Sequence, residues 1–510
     1  MPEILLEETV PAQTVSPPEL PSEPLSSPTF TQVAIDTPTS MNLINLEASN
    51  LRGTIIHFWH TWPGAAVDVV QSLVEDFNLH NEWGILVVPV RKATLDDMSA
   101  NVNSSLGAEE TPDLVIGYPH QYLEWNVDNG LVDLRPYVED LLWGLSMEEQ
   151  ADFYPVIWEQ DVLDGRRLGI PAQRSAQVLF YNETWARTLG FMAPPVTLNQ
   201  FMEQACSAAR ASRQDDDPAN DGKGGWIIST NYAAMLGWIY SFGGEVIKSP
   251  EPGIDQSVYQ FNTPPVEETF TFLRGLADQF CAWLPQSPYS DENFASRLGL
   301  FATGSVMDIP YQLDYFRQVG NNDRWTVIPF PSPSLSPAVD IYGPSFVVLP
   351  STPQRQLAAW LLIKWLIAPQ NHARLIEETS GFPLRASELS HLATFQSRYP
   401  QWSAALEFLP LARTEPYFLS WATVRWALSD ASTQLFRDYF SIEQVPSLIE
   451  YLDRTAADLH LGPERSGIFN TPTSPPKATV KPALTPSPSL TPTSTPILRP
   501  SLTSTITPTK

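Results

Sequence analysis

Short apolar stretches of strand length alternate with longer amphipathic stretches near the start of the folded region. Residues 55–59, 85–90 and 114–116 have the composition of buried strands, whereas residues 65–77 and 95–106 carry apolar side chains at helical spacing. Strands that are joined through a helix run parallel in one sheet, with the helix packed on a face of that sheet. The sequence therefore predicts an α/β fold built on a parallel sheet.

Polar and aromatic residues follow the first and the third of these strands. The first loop holds His60 and Trp62, and the second holds Tyr118, His120 and Gln121. Ligands of open α/β sheets bind at the carboxyl ends of the strands. These two loops are therefore the first candidates for a binding site.

A second informative segment is RLGIPAQRSAQVLFYNETWARTLG, residues 167–190. It predicts a buried strand that stops near Asn182 and a short helix that ends at Gly190. Gln173, Arg174 and Ser175 stand just before that strand, where a crossing between two parts of the fold would present them to a cleft.

Several blocks of the chain, in order, resemble the extracellular solute-binding proteins of the maltose-binding type, which are the receptors of bacterial ABC importers. The blocks are residues 54–78, 111–134, 167–197, 342–385 and 414–428. The resemblance implies a two-lobed periplasmic-binding-protein type II fold, with the ligand cleft between lobes that are joined by hinge crossings. It places these crossings near residues 169–172, 328–331 and 381–384.

The resemblance also sets the expected domain boundaries. Residues 52–170 and 330–382 would form the N-terminal lobe, and residues 171–329 and 383–464 the C-terminal lobe. The Pro-, Ser- and Thr-rich residues 1–51 and 465–510 lack apolar periodicity, which predicts a disordered linker and a disordered tail.

Carried over position by position, the resemblance implies a set of ligand-binding residues from both lobes. They are His60, Trp62, Tyr118, His120, Gln121, Gln173, Arg174, Ser175, Tyr232, Trp238, Gly243, Tyr342, Gly343 and Trp421. For Tyr232, Trp238 and Trp421 the alternative is ordinary core packing, since most buried aromatic residues fill cores.

One departure from the family pattern bears on the ligand. Ser175 stands where members often carry a sugar-binding carboxylate, and Arg174 lies beside it. Arg174 could bind an anionic ligand such as a phosphorylated polyol, or it could form an ion pair between the lobes. The sequence leaves both interpretations open.

Composition and motifs exclude several function classes. The chain has 57 acidic and 30 basic residues, a formal net charge of −27, which repels nucleic acid and anionic lipid surfaces. It lacks HExxH, Gly-x-Ser-x-Gly, P-loop and CxxC motifs, so we expect no enzyme activity, no catalytic residues, no metal and no cofactor. The expected partners are a carbohydrate and importer permease subunits, with the chain itself a monomer. A solute sensor or a surface carbohydrate-binding adhesin is the alternative.

The expected location is outside the cytoplasm. The first ten residues, MPEILLEETV, lack the basic start and apolar run of a signal peptide, so either the true start lies upstream of this sequence or the protein is cytoplasmic. The Pro- and Ser-rich N-terminal tract resembles the spacer that follows a lipid anchor in such receptors, so we expect an upstream start with an N-terminal lipid anchor. Cys206 and Cys281 could form a disulfide there or remain two buried thiols.

Overall fold

The computed structural model describes residues 42–107, 111–127, 130–249, 257–286 and 290–465. Most of residues 1–51 and nearly all of the tail predicted for residues 465–510 therefore lie outside the described residues.

The strands are β1 (Ile55–His60), β2 (Leu86–Arg91), β3 (Leu114–Gly117), β4 (Val162–Leu163), β5 (Arg166–Arg167), β6 (Ile170–Pro171), β7 (Ser175–Asn182), β8 (Gly224–Ile227), β9 (Ile247–Lys248), β10 (Val258–Tyr259), β11 (Ala282–Trp283), β12 (Gly299–Ser305), β13 (Trp325–Ile328), β14 (Val339–Tyr342), β15 (Ser345–Val348) and β16 (Ala412–Thr414).

The α-helices are α1 (Ala66–His80), α2 (Leu95–Ser105), α3 (Pro119–Trp125), α4 (Arg135–Glu139), α5 (Met147–Ala151), α6 (Pro155–Trp158), α7 (Glu183–Thr188), α8 (Leu198–Gln214), α9 (Tyr232–Ser241), α10 (Pro264–Asp278), α11 (Asp291–Ala295), α12 (Ile309–Gln318), α13 (Pro353–Leu366), α14 (Pro369–Thr379), α15 (Ala393–Arg398), α16 (Pro400–Leu406), α17 (Trp421–Leu435) and α18 (Val445–Arg465).

The first large sheet has five strands in the order β2-β1-β3-β15-β6. Strands β1, β2 and β3 are parallel, and β15 and β6 complete the sheet in antiparallel pairings. The helix between β1 and β2 buries Val70, Leu73, Val74 and Phe77, its apolar face. The α/β order predicted from the alternating sequence pattern is confirmed, with bounds that shift by at most a few residues.

The second large sheet has seven strands, with β11-β8-β12-β7-β14-β16 in order and β13 also paired to β7. Its central strand β7 is buried at every position, as the apolar run after Ser175 predicts. Helix α8 packs on this sheet, and the disulfide Cys206–Cys281 ties it to the residue before β11. The alternative of two free thiols is therefore wrong.

The chain passes between the two sheets at residues 172–174, which separate β6 from β7. It returns at Gly343 and Pro344, because β14 still pairs with β7 and β16 whereas β15 pairs with β3 and β6. The expected return at residues 328–331 is wrong, since the chain adds β14 to the second sheet before it crosses. Near the third expected crossing, the amide of Phe382 donates to the carbonyl of Arg174 at 2.7 Å.

The start of the folded region also differs from the prediction. Residues 42–51 belong to the fold: the amides of Leu43 and Ile44 both donate to Asp140, and Leu51 is fully buried. Within the described ranges, no helix is both long and apolar enough to cross a membrane.

A candidate ligand site at the interlobe crossings

A cavity of about 200 Å³ lies where the crossing at residues 172–174 meets the return crossing at Gly343 and Pro344. Its walls come from loops and strand ends of both large sheets. The lining residues are Thr61, Trp62, Pro63, Thr94, Leu95, Ile116, Tyr118, Gln173, Arg174, Ser175, Met307, Tyr342, Gly343 and Pro344. The structure thus brings together half of the residues singled out from the sequence.

Trp62 and Gln173 form a fixed pair in this cavity. Trp62 Nε1 donates to Gln173 Oε1 at 2.8 Å, and Gln173 Nε2 lies 3.4 Å from Met307 Sδ. Both partners of the first bond are nearly buried, so the indole is held in one orientation. An oriented indole and a side-chain amide offer an apolar face and polar edges to a ligand.

A hydroxyl chain forms the floor of the cavity on the side of the second sheet. Ser175 Oγ lies 2.8 Å from Ser305 Oγ, which also accepts from Tyr342 Oη at 3.2 Å. Gln177 Nε2 donates to the same Tyr342 oxygen at 2.9 Å. Burial raises the pKa of Tyr342, so its hydroxyl stays protonated and serves as a donor.

Arg174 is fully buried at the crossing, and its guanidinium is saturated. It donates to Gln160 Oε1, the carbonyls of Gln173 and Pro344, Ser345 Oγ and Asp161 Oδ2, at distances between 2.7 and 3.1 Å. Asp161 in turn accepts from Tyr122 and Ser345. The ion-pair interpretation of Arg174 therefore replaces the anion-binding one, because these acceptors use all of the donors that a guanidinium has.

Gly343 lets the two crossings touch. Its φ is +155°, and a Cβ at this position would lie 2.0 Å from the carbonyl oxygen of Gln173. Any side chain here would push the second crossing away from the first. Gly343 therefore shapes the cavity through its backbone.

Next to the cavity is an aromatic and charged group of five side chains, which we call the Tyr118 cluster: Tyr118, Tyr232, Glu415, Trp421 and Arg425. Trp421 Nε1 donates to Glu415 Oε2 at 3.0 Å, and the Tyr232 and Trp421 rings meet edge to face at 5.9 Å. Arg425 lies over the Tyr232 ring at 5.5 Å. Tyr118 joins cluster and cavity, since it lines the cavity and interacts electrostatically with Glu415 and Arg425.

The carboxyl group of Glu415 is perturbed by its surroundings. Burial raises its pKa to about 7, whereas the hydrogen bond from Trp421 and the charge of Arg425 act in the opposite direction. Asp340 on β14 is fully buried, and burial together with the charge of Glu415 raises its pKa well above the usual range. Both carboxyl groups therefore keep a proton to higher pH than an exposed carboxyl group does, and Glu415 titrates near pH 7.

Three residues of the predicted loops, His60, His120 and Gln121, do not line the cavity. Burial lowers the pKa of His60 to about 4 and that of His120 to about 3, with smaller effects of Arg91 and Arg425, so both rings are neutral near pH 7. Nδ1 of His120 lies 3.4 Å from Arg425 Nη1, which links α3 to α17. Gln121 accepts from the amide of Tyr118 and donates to Leu95 and Ser99, so it holds the loop in place.

Two predicted residues are not brought to the site. Trp238 is fully buried in the core of the second lobe, with ring centroids 4.9 to 5.5 Å from Phe330, Phe201 and Trp226, so no face of its indole is free to stack. Gly243 follows the far end of α9, whose ten residues place it ~15 Å along the helix axis from Tyr232. Trp238 serves packing, and Gly243 ends the helix.

A family model described as "Bacterial extracellular solute-binding protein" matches residues 72–403, more than half of the chain. The chain belongs to this family. This solute-binding protein is also 21% identical over 363 residues to a binding protein of Brucella abortus (strain 2308), which covers 69% of this chain and 79% of that protein.

Solved structures show the same fold. The sugar-binding protein MalE from Xanthomonas citri matches with a TM-score of 0.68 at 20% identity, covering 81% of this chain and 98% of that one. UgpB from Mycobacterium tuberculosis, solved in complex with glycerophosphocholine, matches with a TM-score of 0.62 at 17% identity, covering 80% and 99%. The solute-binding protein therefore has the two-lobed α/β fold, with its cleft between lobes that are joined by crossings.

Several residues of this solute-binding protein's candidate site were not predicted from its sequence. Thr94, Met307 and Pro344 have no distinguishing pattern, because the folding of distant loops alone brings them to the cavity. Glu415 and Arg425 did carry a signal. Both lie inside the block at residues 414–428 that shows the family resemblance, and Arg425 follows Trp421 by one helical turn.

Proposed function

We propose that this chain is the substrate-binding protein of an ABC importer and binds a sugar, an oligosaccharide or a polyol phosphate between its lobes. The observation that carries the proposal is the cavity at the crossings, which is lined from both sheets and contains the fixed Trp62–Gln173 pair. Membership of the solute-binding family supports it. So do structural neighbours described as a sugar-binding protein and as a complex with glycerophosphocholine.

Binding would proceed by closure of the lobes, without a chemical step. Trp62 and Tyr118 offer aromatic surface from the first lobe, whereas Ser175 and Tyr342 offer hydroxyl groups from the second. A ligand that contacts both sets favours the closed arrangement by its extra contacts there. Closure gives permease subunits a surface that differs between the empty and the loaded receptor.

We propose further that the protein acts as a monomer outside the cytoplasm and does not catalyse a reaction. The Cys206–Cys281 disulfide supports the location, since such bonds persist in oxidising compartments. Anchoring through an N-terminal lipid stays a prediction from the sequence, and size-exclusion chromatography with light scattering tests the monomer.

A thermal-shift screen of the full chain tests the ligand class. The panel consists of monosaccharides, oligosaccharides, polyols and their phosphates. A ligand that binds only the folded state adds about 2.7 kcal/mol of stability at a hundredfold excess over its Kd, which raises the Tm clearly. Trp62→Ala should lose the shift. A panel without any shift would contradict the proposal.

A further inference from the structure

The first lobe contains another, larger cavity, which we call the tryptophan groove. It lies between the ends of α1 and α13 and the loop that follows α4, and its volume is about 580 Å³. It shares no lining residue with the cavity at the crossings. The apolar side chains that form its walls are Phe77, Trp83, Leu142, Trp143, Leu361 and Trp365.

The tryptophans of the groove are held in place. Trp365 Nε1 donates to the carbonyl of Leu73 at 3.1 Å. The carbonyl of Trp143 accepts from Trp360 Nε1 at 2.9 Å, and the Trp83 and Trp143 rings meet edge to face at 6.3 Å. Because these rings are already ordered, an apolar chain can pack on them without the cost of fixing loose side chains.

Trp143 also has an unused hydrogen-bond donor. Its side chain is 5% exposed, and its Nε1 is buried without a partner among the described residues. The neighbouring Leu142 is 65% exposed although it forms a wall of the groove. A buried N–H without an acceptor costs free energy. A partner that brings apolar surface together with a carbonyl oxygen would satisfy both residues.

The sequence that precedes the described fold has this chemistry. Residues 17–24, PPELPSEP, contain two overlapping PxxP patterns. Pro-rich sequences of this kind bind aromatic-lined grooves in the extended polyproline II conformation. That conformation has no internal hydrogen bonds, so its backbone carbonyls are free to accept from an indole N–H.

The chain enters the fold at the rim of the same groove. The amides of Leu43 and Ile44 donate to Asp140 at 2.7 and 2.8 Å. Asp140 also accepts from the amides of Leu142 and Trp143, at 2.8 and 2.9 Å. One carboxylate therefore ties the entry of the chain to two residues of the groove wall.

The length of the link and the charges favour docking within one chain. Residues 25–41 join the Pro-rich segment to the entry point, and a flexible link of this length spans on the order of 20 Å, at an effective concentration of about millimolar. Residues 1–41 contain six acidic residues and no Lys or Arg. Lys364 brings a positive charge to the groove, whereas the acidic Glu82 is exposed and screened by water.

We propose that the tryptophan groove binds the chain's own Pro-rich segment, residues 17–24. Its prolines pack on Trp83 and Trp143, one of its carbonyls accepts from Trp143 Nε1, and its acidic side chains face Lys364. The docked segment fixes the point at which the preceding residues leave the first lobe. Because the groove shares no residue with the cavity at the crossings, this docking does not depend on which ligand the cleft binds.

Limited proteolysis of the full chain, with a protease that cleaves after glutamate, tests this inference. The bond after Glu19 lies inside the segment, and a synthetic peptide of residues 12–30 gives its unprotected rate. Cleavage after Glu8, outside the segment, reports the activity of the protease. Relative to that internal reference, we expect cleavage after Glu19 to be at least threefold slower in the full chain than in the peptide.

Two neighbouring leucines provide a blocking variant and its matched control. Leu142→Glu places a negative charge in the groove against the acidic segment, so we expect cleavage after Glu19 to rise to the rate of the peptide. Leu141 is 61% exposed but does not line the groove, so Leu141→Glu should keep the protection. Replacing both Pro18 and Pro21 by Ala should remove the protection without any change to the groove.

Three results would overturn the inference. The first is equal cleavage after Glu19 in the wild type, in Leu142→Glu and in the variant with both prolines replaced. The second is protection that grows with protein concentration, because the segment would then bind a second copy of the chain. The third is an oligosaccharide that binds Trp62→Ala but no longer binds once Leu142→Glu is added, because the groove would then be a sugar site.

Discussion

At the residue scale, Arg174 connects the two crossings through its buried hydrogen bonds and is not free to bind a ligand. Replacing it by Lys keeps the charge but leaves some of its buried acceptors without donors. We expect Arg174→Lys to lower the free energy of unfolding by about 2–4 kcal/mol, since a broken buried network leaves Asp161 poorly paired. Urea denaturation measures this loss.

Arg317→Lys is the matched control for this prediction. Arg317 pairs with Asp314 in an exposed ion pair, with 66% and 59% of the two side chains accessible. Such pairs contribute little, so the control should lose less than about 1 kcal/mol. Equal losses in the two variants would contradict the role assigned to Arg174.

Glu415 makes stability depend on pH. Its folded-state pKa of about 7 exceeds the ordinary value of 4.5, so the folded protein holds a proton that the unfolded chain has released. Stability from this group is therefore full below about pH 4.5 and declines as the pH rises through 7, by on the order of 1–3 kcal/mol. Asp340 acts in the same direction.

Unfolding free energies at pH 5 and pH 8, measured for the wild type and for Glu415→Gln, test this dependence. The variant does not titrate at this position, so its stability should fall less between the two pH values. If the wild type and the variant have parallel pH profiles, Glu415 does not titrate in this range.

At the scale of elements, the contact between the crossings depends on Gly343. A Cβ there would lie 2.0 Å from the Gln173 carbonyl oxygen, so the strand ends must separate in Gly343→Ala. We expect a loss of about 2–4 kcal/mol in unfolding free energy and weaker ligand binding, because the cavity is formed by this contact. Chemical denaturation and calorimetry measure the two effects.

Gly320→Ala separates steric overlap from backbone strain. Gly320 also has a positive φ, +69°, but an added Cβ there would have no heavy atom within 4 Å. Its cost should stay near 1 kcal/mol, with unchanged ligand affinity. A loss at Gly320 as large as that at Gly343 would show that backbone strain, and not the crossing contact, explains both.

The elements differ in how well the sequence predicts them. The strands and helices from Ile55 to Gly117 follow from local hydrophobic periodicity, and β7 follows from its continuous apolar run. The predicted position of the return crossing, residues 328–331, is wrong. The sequence pattern there marks the end of β13 but does not show that β14 joins the same sheet. Local pattern gives the elements, whereas strand partners depend on contacts that are distant in sequence.

The residues of the candidate site also differ in how well the sequence predicts them. Trp62 and Tyr118 follow strands and Gln173 stands at a crossing, so their positions in the sequence predicted the cavity that they line. Tyr342 and Gly343 were predicted through the family resemblance, which placed them at the start of a strand after the second crossing, whereas the structure places them at the end of β14 and at the crossing itself. Trp238 could not be separated from a ligand residue by sequence, since an aromatic side chain on an apolar helix has the same pattern in either role. Its full burial in the structure shows that Trp238 belongs to the core.

At the scale of the whole molecule, the cavity is small for the ligands expected to fill it. A volume of about 200 Å³ is below the ~300–1,000 Å³ of typical ligand pockets, so we expect the lobes to separate before an oligosaccharide binds. The contact between His120 on α3 and Arg425 on α17 spans the cleft, as expected for a closed arrangement.

We expect the protein in solution without ligand to be more open than this structure and to close when ligand binds. Small-angle scattering of the full chain should therefore show a radius of gyration that falls on addition of saturating ligand, because the ligand binds the closed arrangement more tightly. Trp62→Ala is the control: it loses one wall of the site, so the same ligand should leave its radius unchanged. Identical scattering of the wild type with and without a ligand that calorimetry shows to be bound would exclude closure, and recognition by the importer would then require a surface that does not depend on lobe movement.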